Sequence, residues 1–232
     1  MSRRLIFSAV ALAGSSVVMY TIYLHRTLSS KIKHRAGIGL VNVEDESDTK
    51  IESLPPELAN PSRFHIIHDV ASKSVPSARL PRYADPDHLL TKYLRRTMSY
   101  FTRFPQALLL RLVFKSAEAK RTFDPSFIQT MDFVPEDIVC GTYRVEIRTP
   151  NKVEFAMIRP EGLPPIDGRL VISIQPKGDQ TLFVSETMQW RRQEENVVLP
   201  LEMKSMKWLH ELASWWLIES GSQWLCDLQE ES

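Results

Sequence analysis

A single carboxylate interrupts an apolar row close to the end of the predicted sheet. The run from Thr181 to Arg192 has the period-two pattern of a strand. One face of this strand would carry Leu182, Val184, Glu186, Met188 and Trp190. A carboxyl group among apolar neighbours has its pKa raised, which suits it to act as a general acid or base. Exposure at a sheet edge and pairing with an arginine such as Arg144 are the alternatives, because buried charge is normally paired.

Tyr143 and Arg144 are the candidates for stabilising charge during a reaction at Glu186. Both lie in the run Val139–Arg148, which also alternates at period two. Tyr143 shares a face with Val145, whereas Arg144 lies on the opposite face. An enzyme built on these residues would use Glu186 as the acid or base and Tyr143 or Arg144 to stabilise developing charge.

Two histidines in the spacing His-x-x-His raise the question of a metal site. His65 and His68 lie in the run Phe64–Val75, and Asp69 follows the second of them. Protein metal sites need three or four converging ligands, and no third residue is placed in the sequence to complete this set. The chain has only two cysteines, and it lacks P-loop, dinucleotide-binding and Ser-His-Asp signatures. We therefore predict neither a metal site nor a cofactor.

The last predicted element is a helix from about residue 201 to 228 that contains four of the five tryptophans. Its apolar arc is wide, so it must be covered by the sheet along its length or must also face a membrane or a partner. Leu209 and Trp216 lie on one side of this helix, and His210 is predicted to be a hydrogen-bonded core residue. Together with Met188 and Trp190 of the strand, Leu209 and Trp216 are predicted to bind an apolar ligand between sheet and helix.

The elements that must position these residues follow from cap and turn signals. Asp85-Pro86 and Asp124-Pro125 open helices, and Pro105 separates the first of these from a strongly apolar second helix. From residue 139 the apolar period changes from 3.6 to two. Four strand-like runs separated by turn residues then predict an antiparallel meander: Val139–Arg148, Lys152–Ile158, Gly168–Pro176 and Thr181–Arg192.

The helical block between residues 79 and 123 is basic, with ten Lys or Arg against three acidic residues. Arg95, Arg96 and Arg103 are the residues predicted to face a membrane, since a basic side chain near anionic headgroups contributes about 1 kcal/mol. A solvated basic face is the alternative. Nucleic acid is not an expected partner, because no aromatic platform, zinc motif or recognised nucleic-acid-binding fold accompanies the charge.

Twenty residues without a charge, from Leu5 to Leu24, match the length of a transmembrane helix of about 30 Å. A cleaved signal peptide and a mitochondrial presequence are the alternatives. The basic residues after this span predict a single-pass protein with a cytosolic C-terminal domain, at the endoplasmic reticulum or the mitochondrial outer membrane. The predicted organisation is a membrane anchor in residues 1–30, a basic and then acidic linker in 31–62, and an α+β domain in 63–232.

Three short runs and the order of the elements carry a resemblance to known families. The runs TFDPSFIQTMDF, CGTYRVEIR and GRLVISIQPKGDQTLFVSETMQWRR resemble an uncharacterised group of filamentous-fungal membrane-anchored proteins. Helices, a meander and a long last helix, over roughly residues 86–228, resemble the START-like, polyketide-cyclase-like helix-grip fold. That resemblance implies a sheet curved around the last helix with an apolar cavity between them, and a first strand at Phe64–Val75. A hot-dog-like arrangement is the alternative, because a helix-grip domain usually has more than four strands before its last helix.

Three functions follow from these patterns. The first is a membrane-tethered module that binds a hydrophobic small molecule such as a lipid, isoprenoid or polyketide, since such ligands require largely apolar pockets. The second is an accessory enzyme of secondary metabolism that acts as a cyclase, isomerase or dehydratase through Glu186. The third is a membrane adaptor whose tryptophan-rich helix binds a protein partner.

Overall fold

The computed structural model describes residues 19–39, 51–59, 61–81, 85–158 and 166–230. In these ranges the helices are α1 over residues 19–29, α2 Pro86–Phe101, α3 Pro105–Val113, α4 Ala117–Arg121, α5 Pro125–Ile128 and α6 Lys204–Glu230. The strands are β1 Lys33–Ile38, β2 Phe64–Pro76, β3 Ile138–Val139, β4 Tyr143–Thr149, β5 Lys152–Met157, β6 Asp167–Lys177 and β7 Gln180–Arg192. The chain is therefore an α+β protein with a long C-terminal helix.

The seven strands form one antiparallel sheet in the order β1-β2-β7-β6-β5-β4-β3. The meander β4 to β7 coincides with the four strand-like runs in the sequence. Gly178, in the two-residue turn between β6 and β7, has a φ of 62°, a conformation that glycine adopts without steric cost. The second strand and the last strand are neighbours in the sheet, where β2 pairs with β7 along thirteen residues.

The two faces of the sheet have different surroundings. On the inner face, Ala71, Phe155, Ile172 and Phe183 share the main hydrophobic core with α2 and α6. On the outer face, side chains of β2, β6 and β7 form smaller apolar clusters. Because side chains alternate along a strand, odd-numbered residues of β2 and β7 face inward and even-numbered residues face outward.

The predicted fold class is wrong in its first element, the N-terminal transmembrane helix. Within the described ranges, no helix is both long enough and apolar enough to cross a membrane. The described end of the predicted span, residues 19–24, belongs to α1, which continues to residue 29. Leu24, Leu28 and the following Ile32 pack against the main core, so this helix ends inside the α+β domain. Residues 5–18 of the predicted span lie outside the described residues.

Parts of the predicted linker, residues 31–62, are folded in the structure. Residues 33–38 form β1, which extends the sheet by pairing with β2 from Lys33 opposite Ser72 to Ile38 opposite Ile67. Residues 51–59 pack on the outer face, where Ile51 and Leu58 are buried with residues of β2, β6 and β7. The backbone N–H groups of Glu52 and Ser53 donate to Glu154 of β5. These contacts add a strand and an outer-face segment to the domain, whereas residues 40–50, with most of the acidic run, are outside the described ranges.

Phe64–Val75 is a weak strand in sequence because polar residues interrupt it, yet it forms the long strand β2. Tertiary contacts pair several of those polar residues with other elements. Lys73 pairs with Glu219 of α6 at 2.7 Å, and Asp69 lies 2.7 Å from His34 of β1. The polar positions of β2 are therefore contact points with neighbouring elements, which a single strand pattern does not reveal.

Candidate functional site

A cavity of about 340 Å³ lies between the inner face of the sheet and helices α2, α3 and α6. Leu170 and Ile172 of β6 form part of its floor, and Ala213 and Leu217 of α6 lie along its roof. Most of the remaining wall is aliphatic or aromatic. The described residues that line it include no Asp, Glu, Lys or Arg.

Helix α3 forms the wall that reaches the protein surface. Its Leu109 lines the cavity and is also 60% exposed, so the cavity extends to solvent at this helix. The side-chain amide of Gln106 donates to the backbone carbonyl of Leu209 at 2.9 Å, which ties α3 to α6. Leu108 and Leu112 of the same helix are exposed as well. An apolar molecule can thus meet an apolar surface before it enters.

A small number of uncharged polar groups interrupt the apolar wall. Ser185, Thr187 and Gln189 point inward from successive odd positions of β7. Tyr143 of β4 lines the cavity, and its ring packs edge-on against Phe101 and Phe155. Burial raises the pKa of Tyr143 well above its usual range, and nearby Cys140 raises it further, so the phenol keeps its proton at neutral pH. The wall can therefore donate or accept hydrogen bonds while carrying no charge at these groups.

The predicted catalytic residues are not brought together. Tyr143 lines the cavity, but Glu186 lies on the outer face, where its carboxylate is 2.6 Å from the Nε2 atom of buried His68. Arg144 is on the opposite side of β4 from Tyr143 and binds Glu146 at 2.6 Å. The sequence indicated which side chains share a face of each strand, but alternation alone cannot say which face is covered by helices.

The predicted ligand-binding residues also lie on faces other than those that line the cavity. Met188 and Trp190 belong to the outward row of β7 and pack with Ile51 and Ile66. On α6, the cavity is lined by a different stripe of residues: Met206, His210, Ala213, Ser214, Leu217 and Ile218. Leu209 is outside this lining, and so is Trp216, whose ring packs against Tyr100 and Phe104. Because α6 is apolar around much of its circumference, its sequence did not single out the correct stripe.

The arginines predicted to face a membrane make contacts within the protein. Arg95 donates to the backbone carbonyl of Met131 and to the carboxylate of Asp132. The guanidinium groups of Arg96 and Arg103 lie over the ring of Tyr100, at 3.4 Å and 4.5 Å from its centroid. These contacts account for the three side chains without a membrane, and membrane contact stays a prediction.

The two histidines of the His-x-x-His run face opposite sides of the sheet. His65 lies 3.0 Å from Glu202, whereas His68 pairs with Glu186 on the outer face. Residues three apart in a strand necessarily point in opposite directions. This pair therefore cannot bind a common ion.

Comparisons with known proteins give a distant structural likeness. No protein-family model matches the chain, and none of the curated proteins matches it. Among solved structures, the chain is similar to CalU16 from Micromonospora echinospora, with a TM-score of 0.34 and 10% identity over 86% of this chain and 94% of that one. A likeness this distant supports no argument about function. The comparisons also give no support to the predicted resemblance to a fungal, membrane-anchored group.

Proposed function

We propose that this protein binds an uncharged or largely apolar small molecule in the cavity between the sheet and α6. The observation that carries the proposal is the cavity of about 340 Å³, whose described lining has no acidic or basic side chain other than His210. Small-molecule sites are typically concave, mostly apolar, and about 300–1,000 Å³ in volume. The volume of this cavity is at the lower end of that range.

The lining favours a hydrocarbon body with a small number of oxygen atoms. An isoprenoid, a polyketide fragment or part of a lipid chain has this composition. The hydroxyl groups of Tyr143, Ser185 and Thr187 are the groups that would contact the ligand oxygens. A charged headgroup would remain at the α3 surface, because burying an ion without a partner costs several kcal/mol.

A cavity-blocking variant tests this proposal directly. Ala213 is buried on α6 and lines the cavity, so Ala213→Phe would place a ring in the space that a ligand needs. The probe is N-phenyl-1-naphthylamine, an uncharged apolar fluorophore, titrated into the full chain. We expect saturable binding to the unmodified protein and affinity at least about tenfold lower in the variant, equivalent to about 1.4 kcal/mol.

Two matched controls make the result interpretable. Ala117→Phe places the same ring on the exposed surface of α4 and should leave probe affinity unchanged. Ser185→Leu blocks the cavity from the sheet side and should lower affinity as Ala213→Phe does. Equal binding by both blocking variants and the surface control would show that the probe binds elsewhere, and the proposal would be wrong.

Glu186 provides a further distinction between binding and the predicted catalytic role. Glu186→Gln alters a carboxylate on the outer face, and the cavity lining does not include this residue. Probe affinity should therefore remain that of the unmodified protein. A large loss of affinity in a folded Glu186→Gln protein would contradict the position proposed for the ligand.

A further inference from the structure

Four elements bring three imidazoles and two carboxylates together at the β1 edge of the sheet, beneath α6. This edge cluster consists of His25 of α1, His34 of β1, Asp69 of β2, and His210 and Glu211 of α6. None of the five was a predicted metal ligand: Asp69 was noted only for its position beside His68, and His210 only as a core residue. Their convergence depends on α1 and β1, which were predicted to be membrane anchor and linker.

Asp69 lies at the centre of the edge cluster. Its Oδ2 atom is 2.7 Å from Nε2 of His34, and its Oδ1 atom is 3.5 Å from Nε2 of His210. Glu211 approaches from α6, with Oε2 at 3.6 Å from Nε2 of His25. One donor atom from each of His34, Asp69 and Glu211 lies within 4.8 Å of the other two.

Several buried donor and acceptor atoms of the cluster are unsatisfied. Asp69 is only 2% exposed, and its Oδ1 atom has no hydrogen-bond partner in the described chain. The Nε2 atoms of His25 and His210 are also buried and make no hydrogen bond to the part of the chain that the structure describes. Leaving a buried polar atom unpaired costs about 1–3 kcal/mol, and more for a charged group. The cluster thus presents lone pairs that protein groups do not fully use.

We propose that His34, Asp69 and Glu211 bind one divalent transition-metal ion, for which Zn²⁺ is the test ion. One imidazole and two carboxylates form a donor set of nitrogen and oxygen, which suits Zn²⁺, Fe²⁺ or Mn²⁺ rather than Cu⁺. In a tetrahedral site with bonds of about 2.0–2.1 Å, neighbouring ligand atoms are about 3.3 Å apart. The 2.7 Å between His34 and Asp69 is shorter than this value, and the three donor atoms all lie within 4.8 Å of one another, so side-chain rotations would be needed to complete the geometry.

His210 links the edge cluster to the cavity. Its side chain lines the cavity, and its Nε2 atom faces Oδ1 of Asp69. Three protein ligands leave a fourth position for water, as in zinc sites that are not closed by protein. The proposed ion would consequently lie directly behind the cavity wall.

A network of ion pairs without metal is the competing interpretation. Lys207 is 4.0 Å from Oε1 of Glu211 and can offset part of its charge. The Nε2 atom of His34 lies 2.7 Å from Oδ2 of Asp69, within the distance of an ion pair. Direct measurement of metal binding separates the two interpretations, because an ion-pair network takes up no Zn²⁺.

The test uses the full chain, stripped with a chelator and free of any affinity tag, in a calorimetric titration with ZnCl₂. We expect one equivalent to bind and the thermal unfolding midpoint to rise with Zn²⁺, since an ion bound only by the native state stabilises it. His34→Gln should weaken binding by at least about 100-fold, because even outer-shell changes at metal sites cost about 10–100-fold. Glu211→Gln tests the same site from α6 and should have a comparable effect.

His65→Gln is the matched control. The His65 side chain is 24% exposed and pairs with Glu202, much as the His34 side chain is 19% exposed and pairs with Asp69. The control should bind Zn²⁺ like the unmodified protein. Failure of the unmodified chain to bind Zn²⁺, or equal binding by folded His34→Gln, Glu211→Gln and His65→Gln proteins, would overturn the assignment.

Discussion

Removing one partner of the buried ion pair between Lys152 and Glu154 should strongly destabilise the protein. Glu154 of β5 is fully buried and lies 2.7 Å from the Lys152 ammonium group. Its carboxylate also accepts the backbone N–H groups of Glu52 and Ser53, at 3.0 and 2.8 Å. It therefore joins the outer face of the sheet to the segment that packs over it. Glu154→Gln removes the charge while preserving the size of the side chain.

We expect Glu154→Gln to lower the free energy of unfolding by about 3–5 kcal/mol, the usual effect of removing one partner from a buried ion pair. The Lys152 side chain is only 5% exposed, so water solvates little of its charge in the folded protein. Glu52 remains at 2.8 Å, but its side chain is 57% exposed and screened by solvent. The substitution leaves one amide oxygen to serve two backbone donors, which adds to the loss.

The pH dependence provides a second signature of the same pair. Burial alone would raise the pKa of Glu154, but Lys152 and the backbone donors outweigh it and lower the pKa below its ordinary value of 4.5. A lowered folded-state pKa stabilises the protein above the unfolded pKa, and this stabilisation is lost as pH falls through the folded-state pKa. The difference in the free energy of unfolding between the unmodified and Glu154→Gln proteins should therefore reach its full value at neutral pH and shrink below about pH 4.5.

Urea denaturation from pH 3 to pH 8 measures both the loss of unfolding free energy and its dependence on pH. Glu146→Gln is the matched control, because Glu146 pairs with Arg144 at 2.6 Å but both side chains are partly exposed. Glu146→Gln should lower the free energy of unfolding by no more than about 1 kcal/mol. The role assigned to the buried pair would be refuted if Glu154→Gln lowered the free energy of unfolding no more than the control does, or if this loss did not change with pH.

Three further predictions concern the core, the contact between sheet and helix, and the cysteines. Phe155→Ala, at a fully buried position, should lower the unfolding free energy by about 3–5 kcal/mol in urea denaturation; a loss below 1 kcal/mol would contradict the packing. Arg148→Lys should lower the unfolding free energy by about 1.5–3 kcal/mol in the same assay, because the guanidinium group of Arg148 donates to Asp87 at 2.8 Å and connects β4 to α2. An unchanged urea midpoint would exclude this role. Cys140 and Cys226 are buried, and burial raises the pKa of Cys140 to about 12, so Ellman's reagent at pH 8 should react with both only after unfolding. Prompt reaction in the native protein would contradict their burial.

Local signals were sufficient for the meander and for several helix starts. The strands β4 to β7 follow runs with a clear period of two, separated by short turns such as the one containing Gly178. Proline occupies the first turn of α2, α3 and α5, where its fixed φ and missing N–H are tolerated. These features depend on neighbouring residues and can be deduced without knowledge of the tertiary structure.

The N-terminal elements could not be predicted in the same way. An uncharged helix that crosses a membrane and one that packs into a domain through Leu24 and Leu28 have similar composition. Likewise, the short strand β1 has little pattern of its own and is defined by pairing with β2. Its contribution to the sheet depends on contacts between distant parts of the chain, which local propensity does not encode.

The sequence alone determined which side chains share a strand face or a helix side, because alternation and helical periodicity are local geometry. It did not determine which face is covered, so Glu186, Met188 and Trp190 were predicted for a cavity that instead contacts Ser185, Thr187 and Gln189. Only the tertiary structure decided that His34, Asp69 and Glu211 meet at one edge. Their proximity arises from β1 pairing with β2 while α6 crosses above them, and no local pattern in the chain records that arrangement.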